Sequence, residues 1–328
     1  MLRRKSEIET AYTAQFTPNN DRISEHPRRE HCSANGNQIR MMGLKPGQQV
    51  RIERPTENGT IFALYTIDAH DDEEEPDNAV YVGFTKPEDL RDRLGLSSMG
   101  AFKGKINAQV TAIGLDDDEA EVYSEFIEHL ADNDYNSGLI VIAPHGGNIE
   151  KHTDEQAEYV YEKLLSSKRV SMWFCKGFNK KEDGGAFNRW HITSTDISEE
   201  SFPKLKSVFG RGFEYAVAFH GFDDDDDDDD EKSICIGGKT VDGNLKKEIK
   251  EQIEAAVRRF QIDVYLDGNC PDQNNGNDEN NIVNRLSKNG LQIEQSKKVR
   301  TMVDEENRPL RFKIADAVAK VMHRKLTV

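Results

Sequence analysis

Gly138-Leu139-Ile140-Val141-Ile142-Ala143-Pro144-His145-Gly146-Gly147-Asn148-Ile149-Glu150 decides how this chain is read. An apolar run of strand length ends in a glycine pair, and an amphipathic segment follows, which predicts strand, tight loop and helix. His145 and Glu150 then lie at the carboxyl edge of a sheet, where ligand sites of α/β proteins collect. The spacing His-x4-Glu lets an imidazole nitrogen and a carboxylate oxygen converge on one point, as a three-ligand zinc site with an open position requires. A third ligand must come from elsewhere in the chain.

It comes from a second strand end of the same design. The stretch 214–219, apolar after Glu214, ends in His220-Gly221-Phe222. His145, Glu150 and His220 together make a His2Glu zinc site, with Zn2+ as the cofactor and a fourth position open to water or a substrate oxygen. Amide hydrolysis also needs a group that takes the proton of water and delivers it to the leaving amine. Glu294 is the candidate. On the predicted strand 291–295 it shares a face with Gln292, while Leu291, Ile293 and Gln295 point the other way.

Outward from these stretches, strands alternate with helices. Asp116-Asp117-Asp118-Glu119 opens a helix favourably for its dipole, with Val122, Phe126, Ile127 and Leu130 at helical spacing. Thr153-Asp154-Glu155-Gln156 reads as a capping box ahead of Ala157, Val160, Tyr161 and Leu164. Further strands are predicted at 171–175, 188–195, 233–238 and 262–266, and helices around 201–208, 243–260, 282–286 and 310–326. This alternation predicts an α/β domain over 118–328 with a central, mixed but mostly parallel sheet flanked by helices.

The preceding text is different. Residues 1–35 are polar and interrupted by Pro18 and Pro27, which reads as a flexible arm. Residues 36–117 carry short runs divided by turns, at 38–42, 49–52, 60–67 and 80–84, with a short helix at 87–94. They predict a small β-rich, barrel-like domain.

Composition limits the partners. With 60 acidic against 44 basic residues the formal charge is -16, a field that repels nucleic acid. No run approaches a membrane span and no apolar leader core follows Met1, so a cytoplasmic protein without membrane or nucleic-acid partners is expected, as a monomer. Cys32, Cys175, Cys235 and Cys270 are scattered, and reduced thiols are the favoured reading. The aspartates at 223–230 repel one another and read as a solvated loop rather than a spaced calcium loop.

Four phrases in this order, 143–150, Trp190-His191-Ile192-Thr193-Ser194-Thr195, Phe219-His220-Gly221-Phe222, and 281–285 with 290–296, resemble the zinc-dependent poly-γ-glutamate hydrolase family of phages and bacteria. The resemblance spans about residues 119–328 and implies a carboxypeptidase-like fold. By position it places zinc on His145, Glu150 and His220 and the catalytic carboxylate on Glu294. It implies a poly-γ-glutamate or γ-glutamyl peptide substrate with one α-carboxylate per unit, for which guanidinium forks are the expected partners. Arg285, Arg300 and Arg189 are the candidates, and His191 could bond the substrate or the tetrahedral oxyanion. A charge of -16 then calls for a local basic pocket or a short substrate. An N-acyl amino acid deacylase on the same scaffold and a non-catalytic, metal-stabilised interaction module are the alternatives.

Overall fold

The computed structural model describes residues 11–23, 27–70, 78–84, 93–95, 100–167, 169–180, 184–222, 232–270 and 275–326. The aspartate run, the acidic stretch at 71–75 and most of the helix expected at 87–94 lie outside the described residues. Two compact units emerge: one takes the chain up to Ile127 together with Gly177–Lys206, the other Glu128–Lys176 and Ser207–Val328.

The first unit is built on a closed barrel of six strands, β1 (Ala11–Pro18), β2 (His31–Asn35), β3 (Gln49–Thr56), β4 (Gly59–His70), β5 (Ala79–Val82) and β6 (Phe102–Asn107), in the order β1-β5-β2-β4-β3-β6. Alternation drives it: Ala14 and Phe16 of β1, Val50 and Ile52 of β3, and Val80 and Val82 of β5 all point into one core. Closure leaves no exposed strand edge. The barrel expected from sequence is present, but its bounds are corrected. Residues 11–18 and 31–35, read as part of a flexible arm, are barrel strands. Residues 38–42, read as a strand, lie in helix α1 (Gly36–Met41), which Asn35 caps by accepting from the Asn37 amide at 2.8 Å.

Several buried polar side chains of this unit are paired. Arg51 donates two hydrogen bonds to Glu125, at 2.6 and 3.1 Å, and covers the Phe62 ring. His31 lies between Asp68 on Nδ1 and Asp196 on Nε2, each at 3.0 Å. Burial disfavours the His31 cation, yet the hydrogen bonds and charges of Asp196 and Asp68 prevail and raise its pKa from 6.5 to about 9. A raised pKa means that the folded state holds a proton the unfolded chain releases. The contribution is full below pH 6.5 and is lost as pH rises through 9. It amounts to about 3 kcal/mol. The urea midpoint of the wild type is therefore expected to fall more steeply between pH 6 and pH 10 than that of His31→Asn. Equal slopes would remove His31 as the cause.

The second unit is a seven-stranded sheet in the order β12-β11-β13-β10-β8-β9-β7. Its strands are β7 (Phe126–Ala131), β8 (Leu139–Gly147), β9 (Val170–Gly177), β10 (Tyr215–Phe222), β11 (Ser233–Gly237), β12 (Asp263–Leu266) and β13 (Gly290–Ser296). β10 runs parallel to β8 and β13, whereas β11 is antiparallel to β13 and parallel to β12, so the sheet is mixed and mostly parallel as expected. Three helices bury their apolar stripes in its core. Thr153–Leu164 contributes Ala157, Val160 and Leu164, Gly243–Val257 contributes Leu245, Ile249, Ile253 and Val257, and Leu310–Leu326 contributes Leu310, Ile314, Val318 and Val321.

Four expectations are corrected here. The helix opened by Asp116 stops at Tyr123 because Ser124 turns left-handed at φ 55°, so Phe126, Ile127 and Leu130 belong to β7. The helix after Glu150 begins at Thr153 without the capping box; the Thr153 hydroxyl donates instead to the Glu150 carbonyl at 2.9 Å. Cys235 of β11 and Cys270, which follows the turn Asp267–Asn269 after β12, form a disulfide with Cα atoms 5.6 Å apart, while Cys32 and Cys175 are free and buried. That disulfide corrects the reading of these two cysteines as reduced thiols. Finally, residues 177–206, expected within the hydrolase domain of 118–328, group with the barrel. Among the described residues no helix is long and apolar enough to cross a membrane.

Candidate metal and proton-transfer site

β8, β10 and β13 end at the same edge of the second unit. Beyond β8 the chain closes on itself, the Glu150 amide donating to the His145 carbonyl at 2.8 Å, with Gly147 left-handed at φ 68°. Asp154 holds this turn: it accepts from the Gly147 amide at 3.2 Å and pairs with Lys176 at 3.1 Å. A side chain at Gly146 would sit 2.6 Å from the Asp154 side chain and 2.7 Å from the Cys175 carbonyl. Only glycine fits there.

Within this frame three predicted residues meet. His145 Nδ1 is 2.9 Å from Glu150 Oε1, His220 Nδ1 is 3.3 Å from Glu150 Oε2, and the two imidazole rings are 5.0 Å apart between centroids. All three side chains are buried. The Gly221 amide also donates to Glu150 Oε2, at 2.9 Å. Two atoms bound to one tetrahedral ion at zinc distances stand roughly 3.3 Å apart. The observed separations suit such an ion, and a buried anionic carboxylate between two imidazoles is the donor set a divalent cation takes. Burial pushes the Glu150 carboxyl up, but the charges and hydrogen bonds of His145 and His220 hold it well below the usual carboxylate range. It is anionic at neutral pH.

Glu294 is the in-register neighbour of His220 across the parallel pair β10 and β13. Neighbours in register share a face of the sheet. As the alternation predicts, Gln292 lies on that face and donates to Glu294 Oε1 at 2.7 Å, while Gln295 on the opposite face pairs with Gln156. Burial raises the Glu294 carboxyl, His220 opposes it and the negative Glu150 adds to it, with Gln292 and Arg300 pulling down. The outcome is a pKa of about 7. Such a carboxyl can accept and return a proton near neutrality.

One positioning residue was missed from sequence. Asn281 accepts from the Val283 amide at 3.1 Å, capping the helix Ile282–Leu286, and its own amide group donates to Gln292 Oε1 at 2.8 Å. The order Asn281, Gln292, Glu294 is thus one hydrogen-bonded chain. An asparagine before a short helix reads as a cap, which concealed its second bond.

The arginines divide. Arg300 is buried, and its guanidinium donates to the carbonyls of Gln295, Lys151 and Phe222 at 3.2, 2.9 and 3.0 Å. It clamps main chain beside Gly221, where any side chain would collide with it, so its expected substrate role is corrected to a structural one. Arg285 is half-buried on the helix Ile282–Leu286 and lies 5.0 Å from the Phe209 ring centroid. Arg189 and His191 belong to the barrel unit. The strand expected at 188–195 is instead a helix, Gly185–Trp190, in which Arg189 is buried and which His191 terminates.

A sheet edge carrying two histidines and a carboxylate that could hold a divalent ion, with a second carboxyl near pKa 7, suits metal-assisted hydrolysis. Residues 116–323 match the family described as Poly-gamma-glutamate hydrolase. The chain belongs to this family and is a hydrolase of amide bonds. Among solved structures it is similar to a bacteriophage poly-gamma-glutamate hydrolase, at 22% identity and TM-score 0.44, covering 61% of this chain and 89% of that one. It is similar to YNDL in its zinc-free form at 25% identity and TM-score 0.41, covering 62% and 89%. A metallo-carboxypeptidase from Burkholderia cenocepacia matches at 12% identity and TM-score 0.33, covering 62% of each chain. No curated protein sequence matches.

Proposed function

We propose that the protein is a zinc-dependent amidase that hydrolyses γ-glutamyl bonds, with poly-γ-glutamate or a γ-glutamyl peptide as substrate. The observation that carries this reading is the buried cluster of His145, Glu150 and His220 with Glu294 in register beside it. When bound, zinc supplies a Lewis acid that polarises a carbonyl and acidifies water. His145, Glu150 and His220 hold it. Glu294 takes the proton of the attacking water and passes it to the departing amine, returning to its anionic state. The hydrogen bond from Gln292 keeps the carboxyl oriented through both transfers. Arg285 is the arginine proposed to meet an α-carboxylate, and His191 the histidine proposed to bond the substrate.

A substrate panel tests this reading. Zinc-loaded protein is expected to release glutamate or γ-glutamyl oligomers from poly-γ-glutamate or γ-glutamyl peptides, at a rate at least tenfold above that on N-acyl amino acids. The opposite ranking would turn the assignment to a deacylase. Zinc-saturated protein that binds these compounds without cleaving them would make it an interaction module.

A further inference from the structure

Glu30 stands just ahead of β2, far upstream of the region that matches the family, and it is 1% exposed. Its two carboxylate oxygens are committed to one short segment. Oε1 is 2.7 Å from His191 Nδ1, and Oε2 accepts from the Thr193 amide at 2.7 Å and from the Thr193 hydroxyl at 3.0 Å. Arg93 donates to the His191 carbonyl at 3.1 Å, and the His191 ring stacks on Phe187 at 4.4 Å between centroids. The segment continues along the barrel through His31 on Asp196 and through Gln49, whose amide group donates to the Asp196 carbonyl at 2.6 Å while its side-chain oxygen accepts from Ser198 at 2.8 Å. All these contacts lie within the first unit.

The chemistry of the pair fixes a proton. A carboxylate only accepts, so a ring nitrogen 2.7 Å from it carries the hydrogen. Burial opposes ionisation of Glu30, but His191, Arg93 and the Thr193 amide prevail and hold its carboxyl down at about 2. It stays a carboxylate at any working pH. We propose that Glu30 is a positioning residue for His191, fixing the ring and placing its proton on Nδ1 so that Nε2 is the nitrogen that meets the γ-glutamyl substrate. This rests on the reading of His191 as a substrate-binding residue. It gives a residue upstream of the family region a part in the reaction.

The substitution Glu30→Gln has a defined consequence. The Thr193 amide can only donate, so the new carbonyl oxygen must face it and the new NH2 group must face His191 Nδ1. That arrangement moves the imidazole proton to Nε2. In full-length zinc-loaded protein, kcat/KM on a γ-glutamyl oligomer is expected to fall about 10 to 100-fold, as for other losses of an orienting carboxylate, with zinc content unchanged and partial recovery in Glu30→Asp. Added to His191→Ala, Glu30→Gln should cost nothing further. Imidazole 15N shifts are expected to show His191 protonated on Nδ1 in the wild type and bare there in Glu30→Gln. Unchanged kcat/KM in Glu30→Gln, full additivity with His191→Ala, or a wild-type ring bare at Nδ1 would overturn the proposal. If the wild type cleaves no γ-glutamyl bond, the functional reading fails, and the 15N measurement on the wild type still decides whether Glu30 sets the tautomer.

Discussion

Glu294→Gln is expected to retain about one zinc per chain and to lower kcat on a γ-glutamyl oligomer by about 10² to 10⁴-fold, the range that loss of a general acid or base produces. The amide keeps the shape of the side chain and can still bond Gln292. It cannot accept a proton at neutral pH. Because His145, Glu150 and His220 form their cluster without Glu294, metal content should not follow activity. Wild-type kcat in this variant would end the assignment of Glu294, and loss of zinc along with activity would make it a ligand instead.

The double substitution His145→Ala, His220→Ala should abolish both metal and turnover. Zinc measured by elemental analysis is expected to fall from about one per chain to near zero. A Lewis acid worth about 4 kcal/mol corresponds to a loss on the order of 10³-fold in rate. The same change acts on Glu150. With the imidazoles gone, the charges and hydrogen bonds of His145 and His220 no longer hold its carboxyl low, and its pKa rises. Circular dichroism should show an unchanged fold, because the Gly221 amide still donates to Glu150 Oε2. Full metal occupancy after loss of both histidines would sink the proposed site.

Much of this was legible where the chemistry of the chain is monotonous. Ile140-Val141-Ile142 and Ala216-Val217-Ala218-Phe219 are buried on both faces of their strands, so their text is a solid apolar block with a histidine and a glycine at its end. The last helix was read to its bounds because Leu310, Ile314, Val318 and Val321 keep one stripe through 17 residues. The face of Glu294 followed from the twofold period of a strand. What failed was text in which polar residues are the buried ones. β2 is His31-Cys32-Ser33-Ala34-Asn35, and its interior position depends on acids distant in sequence, Asp68 and Asp196. Local periodicity carries no trace of such a partner. Arg300 was misjudged for the same reason, since a guanidinium spent on three carbonyls and one held ready for a ligand have the same sequence.

The stretch from Gly177 to Lys206 belongs to the first unit although the chain on either side of it belongs to the second. A cut before the family region would remove Glu30, His31 and Gln49 while leaving His191, Thr193, Asp196 and Ser198 in the remaining piece. The segment from His191 to Ser198 would then lack the upstream side chains that hold it.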